Sequence, residues 1–211
     1  MPAAFSGIFI LHLTISIAWL FSYDNGYFVA SFVGQLSMAL TLYICTFLAV
    51  FLLWHYQSCI GVSEMWANVI LVHNGLALYA AWNTVTALIS FHTLLVEVLE
   101  VKSKDAATAA LAIMLIIVTV YAGLEMWLSK KRLRYVVTPY FAILVALSGM
   151  IDGHDWSDDN GSNAWLKAVI MAIMIIATIA KAAVIVFRIV KYPNKMETCN
   201  QKDDESTTQK I

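Results

Sequence analysis

The sequence predicts an all-α protein, a polytopic transmembrane bundle of about six helices, and three observations support that fold class. Hydrophobic residues make up 61% of the 211 residues and charged residues only 13%, and the mean hydropathy is +0.75. This composition is typical of polytopic membrane proteins and lies outside the range of soluble domains. The apolar residues also fall into long runs, and most basic residues cluster late in the chain. We therefore expect an integral membrane protein in contact with the lipid bilayer.

Six apolar runs are long enough, or nearly long enough, to span the roughly 30 Å hydrocarbon core of a bilayer. They are Phe5 to Ser22, Tyr27 to Trp54, Trp66 to Leu99, Ala106 to Leu128, Tyr135 to Ile151 and Ala164 to Val190. The first run could instead be a cleaved signal peptide, which would leave five helices, but it has no basic n-region and no convincing small-x-small cleavage site. The fifth run is short, and Pro139 suits its first turn. We expect six helices, with the first one retained.

Basic residues predict the orientation of the bundle, since loops rich in Lys and Arg stay in the cytoplasm. Lys130 to Arg134 lies between the fourth and fifth runs, and Arg188 to Lys195 covers the end of the sixth run and the residues just after it. The loop from Asp152 to Asn163 contains no Lys or Arg. Six spans in this orientation place both termini in the cytoplasm. We expect a transmembrane bundle over residues 1–191 and, because it is polar, a disordered cytoplasmic tail over residues 192–211.

The third run carries polar and aromatic groups through its middle on one helical face. At about 100° per residue these groups fall within an arc of about 100°, and Thr84 points the opposite way. The residues of this face are Gly75, Tyr79, Trp82, Asn83, Thr86 and Ser90. Aromatic walls with a few polar groups suit a hydrophobic ligand. The predicted ligand-binding residues are Tyr79, Trp82, Asn83 and Thr86, together with Trp19 of the first run.

Three ionisable residues inside the runs form an alternative candidate site, because an intramembrane charge is a functional candidate by default. His12, Glu125 and Lys181 could relay protons or ions in a transporter or channel. Structural roles compete with this interpretation. His12 could hydrogen-bond to another helix, Glu125 could be an interfacial carboxylate, and Lys181 could snorkel to the surface. A salt bridge between Glu125 and Lys181 is a further alternative, since both are predicted toward the cytoplasmic side.

The second run carries a stripe of small residues that favours close helix packing. Gly34, Ser37 and Thr41 are spaced i, i+3 and i+7, and small residues let helix backbones approach each other closely in membranes. Gln35 lies beside the stripe, and its amide could hydrogen-bond across to the third run. We expect this face to pack against neighbouring helices.

Several function classes find no support in the sequence. Cys45, Cys59 and Cys199 have neither a paired spacing nor a metal-binding pattern, so we predict no metal site and no cofactor. The sequence has no nucleophile, base and metal cluster for hydrolysis, and it has no basic footprint for nucleic acid. We therefore expect neither an enzyme nor a nucleic-acid partner.

Part of the chain is similar to a known family. The segment from Leu78 to Ala87, LYAAWNTVTA, resembles the Tyr-x-Gly-Trp-x-x-x-Ala-Thr stretch of the tryptophan-rich sensory protein group (TspO/MBR, translocator). Shorter matches are Ile17 to Phe21, Leu40 to Tyr43, Arg134 to Tyr135 and Ala146 to Gly149. The chain departs from the group in having Ala81 where a glycine is usual and no proline between Pro2 and Pro139. The resemblance implies a helical bundle that holds a porphyrin-, sterol- or lipid-like ligand in an aromatic pocket.

The sequence thus predicts a multipass membrane protein that binds or moves a hydrophobic small molecule in an aromatic pocket on its central helix. Two alternatives stay open at this point. One is a proton- or ion-coupled transporter or channel. The other is a structural membrane subunit, in which the face around Gly75 packs against a partner or against a second copy of the chain in a homo-oligomer.

Overall fold

The structure is a computed structural model, and it describes residues 3–56, 61–128, 138–152 and 164–191. Every regular element within these residues is helical. The helices are α1 (Ala3–Asp24), α2 (Phe28–Tyr56), α3 (Val62–Ala67), α4 (Asn74–Glu97), α5 (Ser103–Leu128), α6 (Thr138–Asp152) and α7 (Ala164–Lys191). A π-helical segment, Asn68–His73, joins α3 to α4 without a break. The prediction of an all-α fold is confirmed.

Four of these helices are long and apolar enough to cross a membrane. Their apolar stretches are Ala4–Asp24, Phe28–Leu53, Ser103–Gly123 and Trp165–Ala183. The central helix α4 falls short because its polar residues lower its hydropathy, and the apolar part of α6, Thr138–Gly149, is too short. The prediction of six membrane-spanning helices is therefore not confirmed, although the four apolar helices suggest an integral membrane protein.

Helix α4 lies at the centre of the fold. It packs against α2, α5 and α6. Helix α1 packs on α2, and α7 packs on α6 and α5. A buried hydrophobic cluster joins α4, α5, α6 and α7, and it consists of Val85, Leu88, Leu111, Met114, Val118, Tyr140, Leu147, Leu166, Ile170 and Met174.

Two local features fix how the helices follow one another. Gly26 has φ +72°, a left-handed conformation that glycine tolerates at the end of a helix, and it turns the chain from α1 into α2. At the start of α6, the Thr138 hydroxyl donates to the backbone carbonyl of Asn74 at 2.6 Å. This bond ties the beginning of α6 to the beginning of α4.

The outward faces of the helices are apolar. Within the span of α1 only 6% of residues are buried, and Ile10, Ile17 and Phe21 are among its exposed side chains. An apolar outer surface of this kind suits contact with lipid tails. The tail 192–211 and the two loops on which the predicted orientation depends lie outside the described residues.

Candidate functional site

The first polar cluster joins α1, α2 and α4 around His12. This side chain is fully buried. Its Nδ1 lies 3.1 Å from the Thr41 hydroxyl, and its Nε2 lies 3.1 Å from the Tyr79 hydroxyl. The rings of His12 and Tyr79 also meet edge to face, with centroids 5.2 Å apart. The expected hydrogen bond from His12 to another helix is confirmed.

Hydrogen-bond geometry indicates which nitrogen of His12 carries hydrogen. The Thr41 hydroxyl lies 3.0 Å from the carbonyl of Ser37 and 2.9 Å from that of Met38, and a carbonyl can only accept. All of these hydrogen bonds form together when the proton of the His12 ring is on Nδ1. Nδ1–H then donates to Thr41, and Nε2 accepts from Tyr79. A neutral imidazole satisfies both partners, so this geometry favours a role in holding helices together over proton relay.

The second polar cluster joins α2 to α4 around Gln35. The Gln35 amide nitrogen donates to Asn83 Oδ1 at 3.1 Å and to the Thr86 hydroxyl, and both amide side chains are buried. Asn83 donates in turn to the carbonyl of Tyr79 at 2.9 Å. The expected bond from Gln35 to the third run is confirmed. Three predicted ligand-binding residues, Tyr79, Asn83 and Thr86, thus hydrogen-bond to neighbouring helices.

Trp19 lies in the contact between α1 and α2. A Cβ atom added at Gly34 would come 3.3 Å from the Trp19 Cβ and 3.7 Å from its Cα. As the spacing of small residues predicted, the stripe that contains Gly34 lets the backbones of α1 and α2 approach closely. The Trp19 indole nitrogen is buried and has no hydrogen-bond partner among the described residues.

Trp82 stands apart from the other predicted ligand-binding residues. Its side chain is 46% exposed. It lines a shallow apolar groove of about 320 Å³ between α4 and α6. The remaining lining residues are Leu78, Tyr79, Phe141, Ala142 and Val145. The polar arc predicted on the central helix is thus divided, because Tyr79, Asn83 and Thr86 bond to α1 and α2 while Trp82 faces α6.

A larger groove, of about 500 Å³, lies between α2, α4 and α5, on the side of α4 that carries Thr84. Its lining residues are Phe32, Leu36, Ala39, Leu40, Tyr43, Thr84, Ala87, Leu88, Phe91, Ile113, Ile116, Ile117, Val120 and Tyr121. None of these carries a charge. The groove opens toward the outside of the bundle, since Leu40 and Ile116 are exposed. We name it the α2/α4/α5 groove.

The three ionisable candidates do not form one site in the part of the chain that the structure describes. Lys181 Nζ lies 5.4 Å from the centroid of the Tyr140 ring, a cation–π contact inside the α5–α7 part of the fold. His12 is held between α1, α2 and α4. The side chain of Glu125 lies outside what is described, so its salt bridge with Lys181 stays a prediction. No group of described residues could hold a metal ion.

The fold and the groove together define an all-helical protein with four helices apolar enough to span a membrane. No protein-family model, curated protein or solved structure matches the chain. The resemblance to the tryptophan-rich sensory protein group therefore stays a prediction.

Sequence reasoning missed the residues of the α2/α4/α5 groove. On α2 the lining residues Phe32, Leu36 and Tyr43 recur at helical spacing, as do Ile113 and Val120 on α5. That spacing was the sequence signal that could have indicated a shared groove face. It was hidden because both helices are apolar all round, so that a groove face does not differ in polarity from a lipid-facing one.

Proposed function

We propose that this chain is an integral, multipass membrane protein that binds a hydrophobic ligand in the α2/α4/α5 groove. The observation that supports the proposal best is the groove itself, about 500 Å³ in volume with an uncharged, almost wholly apolar lining. Ligand pockets typically measure roughly 300 to 1,000 Å³ and are lined mainly by hydrophobic and aromatic side chains with a few polar groups.

The walls of the groove suit a ligand that arrives from the bilayer. Two aromatic rings, Phe32 and Phe91, pack at one end with centroids 5.6 Å apart. At another point of the lining the Tyr43 hydroxyl lies 2.9 Å from the Thr84 hydroxyl. The open side between α2 and α5 faces the surface that the apolar helices would turn to lipid, so a lipid-like molecule could enter sideways.

In this proposal the polar clusters shape the site without touching the ligand. Gln35 fastens α2 to α4 through Asn83, and both residues lie on the side of these helices that faces away from the open groove. Because interhelical hydrogen bonds and close packing replace the hydrophobic effect inside a bilayer, these contacts set the spacing between the two helices. The ion-relay alternative has less support, since His12 and Lys181 belong to different parts of the fold.

Filling the groove is the direct test of the proposed function. Leu40 is 56% exposed and lines the groove, whereas Ile44, one turn further along α2, is 48% exposed and does not. We expect Leu40→Trp to reduce photolabelling by a photoreactive long-chain alkyl probe about tenfold or more, which corresponds to roughly 1.4 kcal/mol of binding. The matched variant Ile44→Trp should label like the wild type. Equal labelling of all three proteins at the groove would contradict the proposal.

We further propose that all six apolar runs cross the membrane, with both termini in the cytoplasm. The support is the basic group Lys130 to Arg134 set against the acidic loop Asp152 to Asn163. A cysteine introduced as Ser157→Cys should react with an impermeant thiol reagent on intact cells, and Ser129→Cys should react only after permeabilisation. The reverse pattern would overturn the orientation.

A further inference from the structure

Among the described residues that line the α2/α4/α5 groove, three side chains carry polar groups, and all three are hydroxyls. They belong to Tyr43 on α2, Thr84 on α4 and Tyr121 on α5. Every other lining side chain is aliphatic or a phenylalanine. In an apolar site a few hydroxyl groups decide which polar group a ligand can carry, because a buried group without a partner is costly.

The hydrogen bonds of Thr84 determine whether the Tyr43 hydroxyl can donate to a ligand or only accept from it. Thr84 Oγ1 lies 2.9 Å from the carbonyl of Ala80 and 2.9 Å from the Tyr43 hydroxyl. A carbonyl can only accept, and a threonine hydroxyl has one proton. Both bonds form only if Thr84 donates to Ala80 and Tyr43 donates to Thr84. The Tyr43 oxygen then has no proton left to donate and presents lone pairs to the groove.

Tyr121 offers the complementary group. Among the described residues no hydrogen bond to its hydroxyl is found, and its side chain lines the groove, so its proton is available to a ligand. Its ring is held in place by an edge-to-face contact with Tyr140, with centroids 5.7 Å apart. Tyr121 on α5 and Tyr43 on α2 line the same groove. The groove thus has a donor on one helix and an acceptor on another.

We propose that the groove selects a long-chain lipid alcohol whose hydroxyl accepts from Tyr121 and donates to Tyr43. This inference rests on the proposed function and deepens it. The alkyl chain would run along Leu40 and Ile116 toward Phe32, over about 16 Å of helix at 1.5 Å per residue. A hydroxyl both accepts and donates, so it satisfies both tyrosines at once.

Other ligand chemistries fit the hydroxyl groups less well. An ether or a ketone could accept from Tyr121 but would give Tyr43 no proton. A carboxylate would have to leave water for a groove whose described lining holds no cation, which is expensive. An alkane would meet neither hydroxyl. An alcohol dissolved in the hydrocarbon core also lacks hydrogen-bond partners. Hydrogen bonds to the two tyrosines therefore favour the groove over the hydrocarbon core.

The test compares two probes that differ in one hydrogen-bonding proton. We would measure how well hexadecanol and hexadecyl methyl ether displace the photoreactive alkyl probe from purified protein in nanodiscs. In the wild type we expect hexadecanol to compete about tenfold better, the gain typical of one additional hydrogen bond. Tyr121→Phe keeps the ring and removes the donor, so it should weaken hexadecanol binding several-fold. Tyr23→Phe, an exposed tyrosine that does not line the groove, should change nothing.

The outcomes separate the two proposals. If hexadecanol and its methyl ether compete equally in the wild type, selection for an alcohol is overturned while binding in the groove stands. Better competition by palmitate than by hexadecanol would overturn it as well. If the probe labels the wild type and the Leu40→Trp variant equally, the proposed function itself fails. If hexadecanol competes as well with the probe in Tyr121→Phe as in the wild type, the assignment of Tyr121 as the donor is overturned.

Discussion

Truncation of Leu147 to alanine is expected to lower the free energy of unfolding by about 2 to 5 kcal/mol, the range for a leucine removed from a packed core. Leu147 of α6 is fully buried. It belongs to the cluster that joins α4, α5, α6 and α7, where its neighbours include Tyr140 and Ile170. The cavity left by alanine would remove packing contacts that lipid cannot replace. Unfolding in a mild detergent, followed by circular dichroism, measures the effect.

Val145 provides the matched control on the same helix. It lies two residues away, is 44% exposed and lines the shallow α4/α6 groove. Val145→Ala should change the free energy of unfolding by no more than about 0.5 kcal/mol, as surface substitutions usually do. If Leu147→Ala were as mild as Val145→Ala, the placement of α6 against α7 would be wrong.

Replacement of Gly34 by leucine should separate α1 from α2. Even a single Cβ at this position would lie 3.3 Å from the Trp19 Cβ and 3.7 Å from the Trp19 Cα. The Cα belongs to the backbone of α1, so it cannot rotate away as the end of a flexible side chain would. Overpacking of this kind typically costs about 1 to 3 kcal/mol. Thermal unfolding should therefore begin at a clearly lower temperature.

Gly75 is the control for this substitution, because it is also a helical glycine and a Cβ there meets nothing within 4 Å. Gly75→Leu should leave stability unchanged or raise it slightly, since leucine favours helix more than glycine does. Equal destabilisation by the two substitutions would mean that loss of glycine matters by itself, and the close approach of Trp19 would then not explain it.

The helices themselves could be predicted because their apolar lengths match what a membrane requires. The first run, Phe5 to Ser22, became α1 (Ala3–Asp24), and the second, Tyr27 to Trp54, became α2 (Phe28–Tyr56). The third run was less regular than expected. Its helix begins earlier, at Val62, and passes through the π-helical segment before α4. The number of spans is not confirmed, because only four of the described helices are both as long and as apolar as a typical span.

The partners of some intramembrane polar residues could be predicted from the sequence, and those of others could not. His12 and Gln35 form the interhelical bonds expected of them. Asn83 and Thr86 have the pattern of a ligand-facing stripe, and they bond to Gln35 instead. A polar face on a membrane helix looks the same in sequence whether it meets a ligand or a polar side chain of another helix. Only the packing of the helices separates these cases.

The groove follows from the spacing of three helices, which no single stretch of sequence encodes. Thr84 illustrates the difficulty. It points away from the polar arc of α4, and in the sequence it resembles an isolated hydroxyl turned to lipid. In the fold it lies between α2 and α5, beside Tyr43 and in the same groove as Tyr121. Residues far apart in sequence form this site, so its chemistry emerges only after the helices are packed.

An experimental structure of the purified protein in lipid nanodiscs would test the central claim most directly. We predict elongated density between α2 and α5, in contact with Leu40 and Ile116 and ending near Tyr43 and Thr84. Closure of α2 onto α5, with their side chains filling the space, would contradict ligand binding in the α2/α4/α5 groove. So would ordered density confined to the shallow groove beside Trp82.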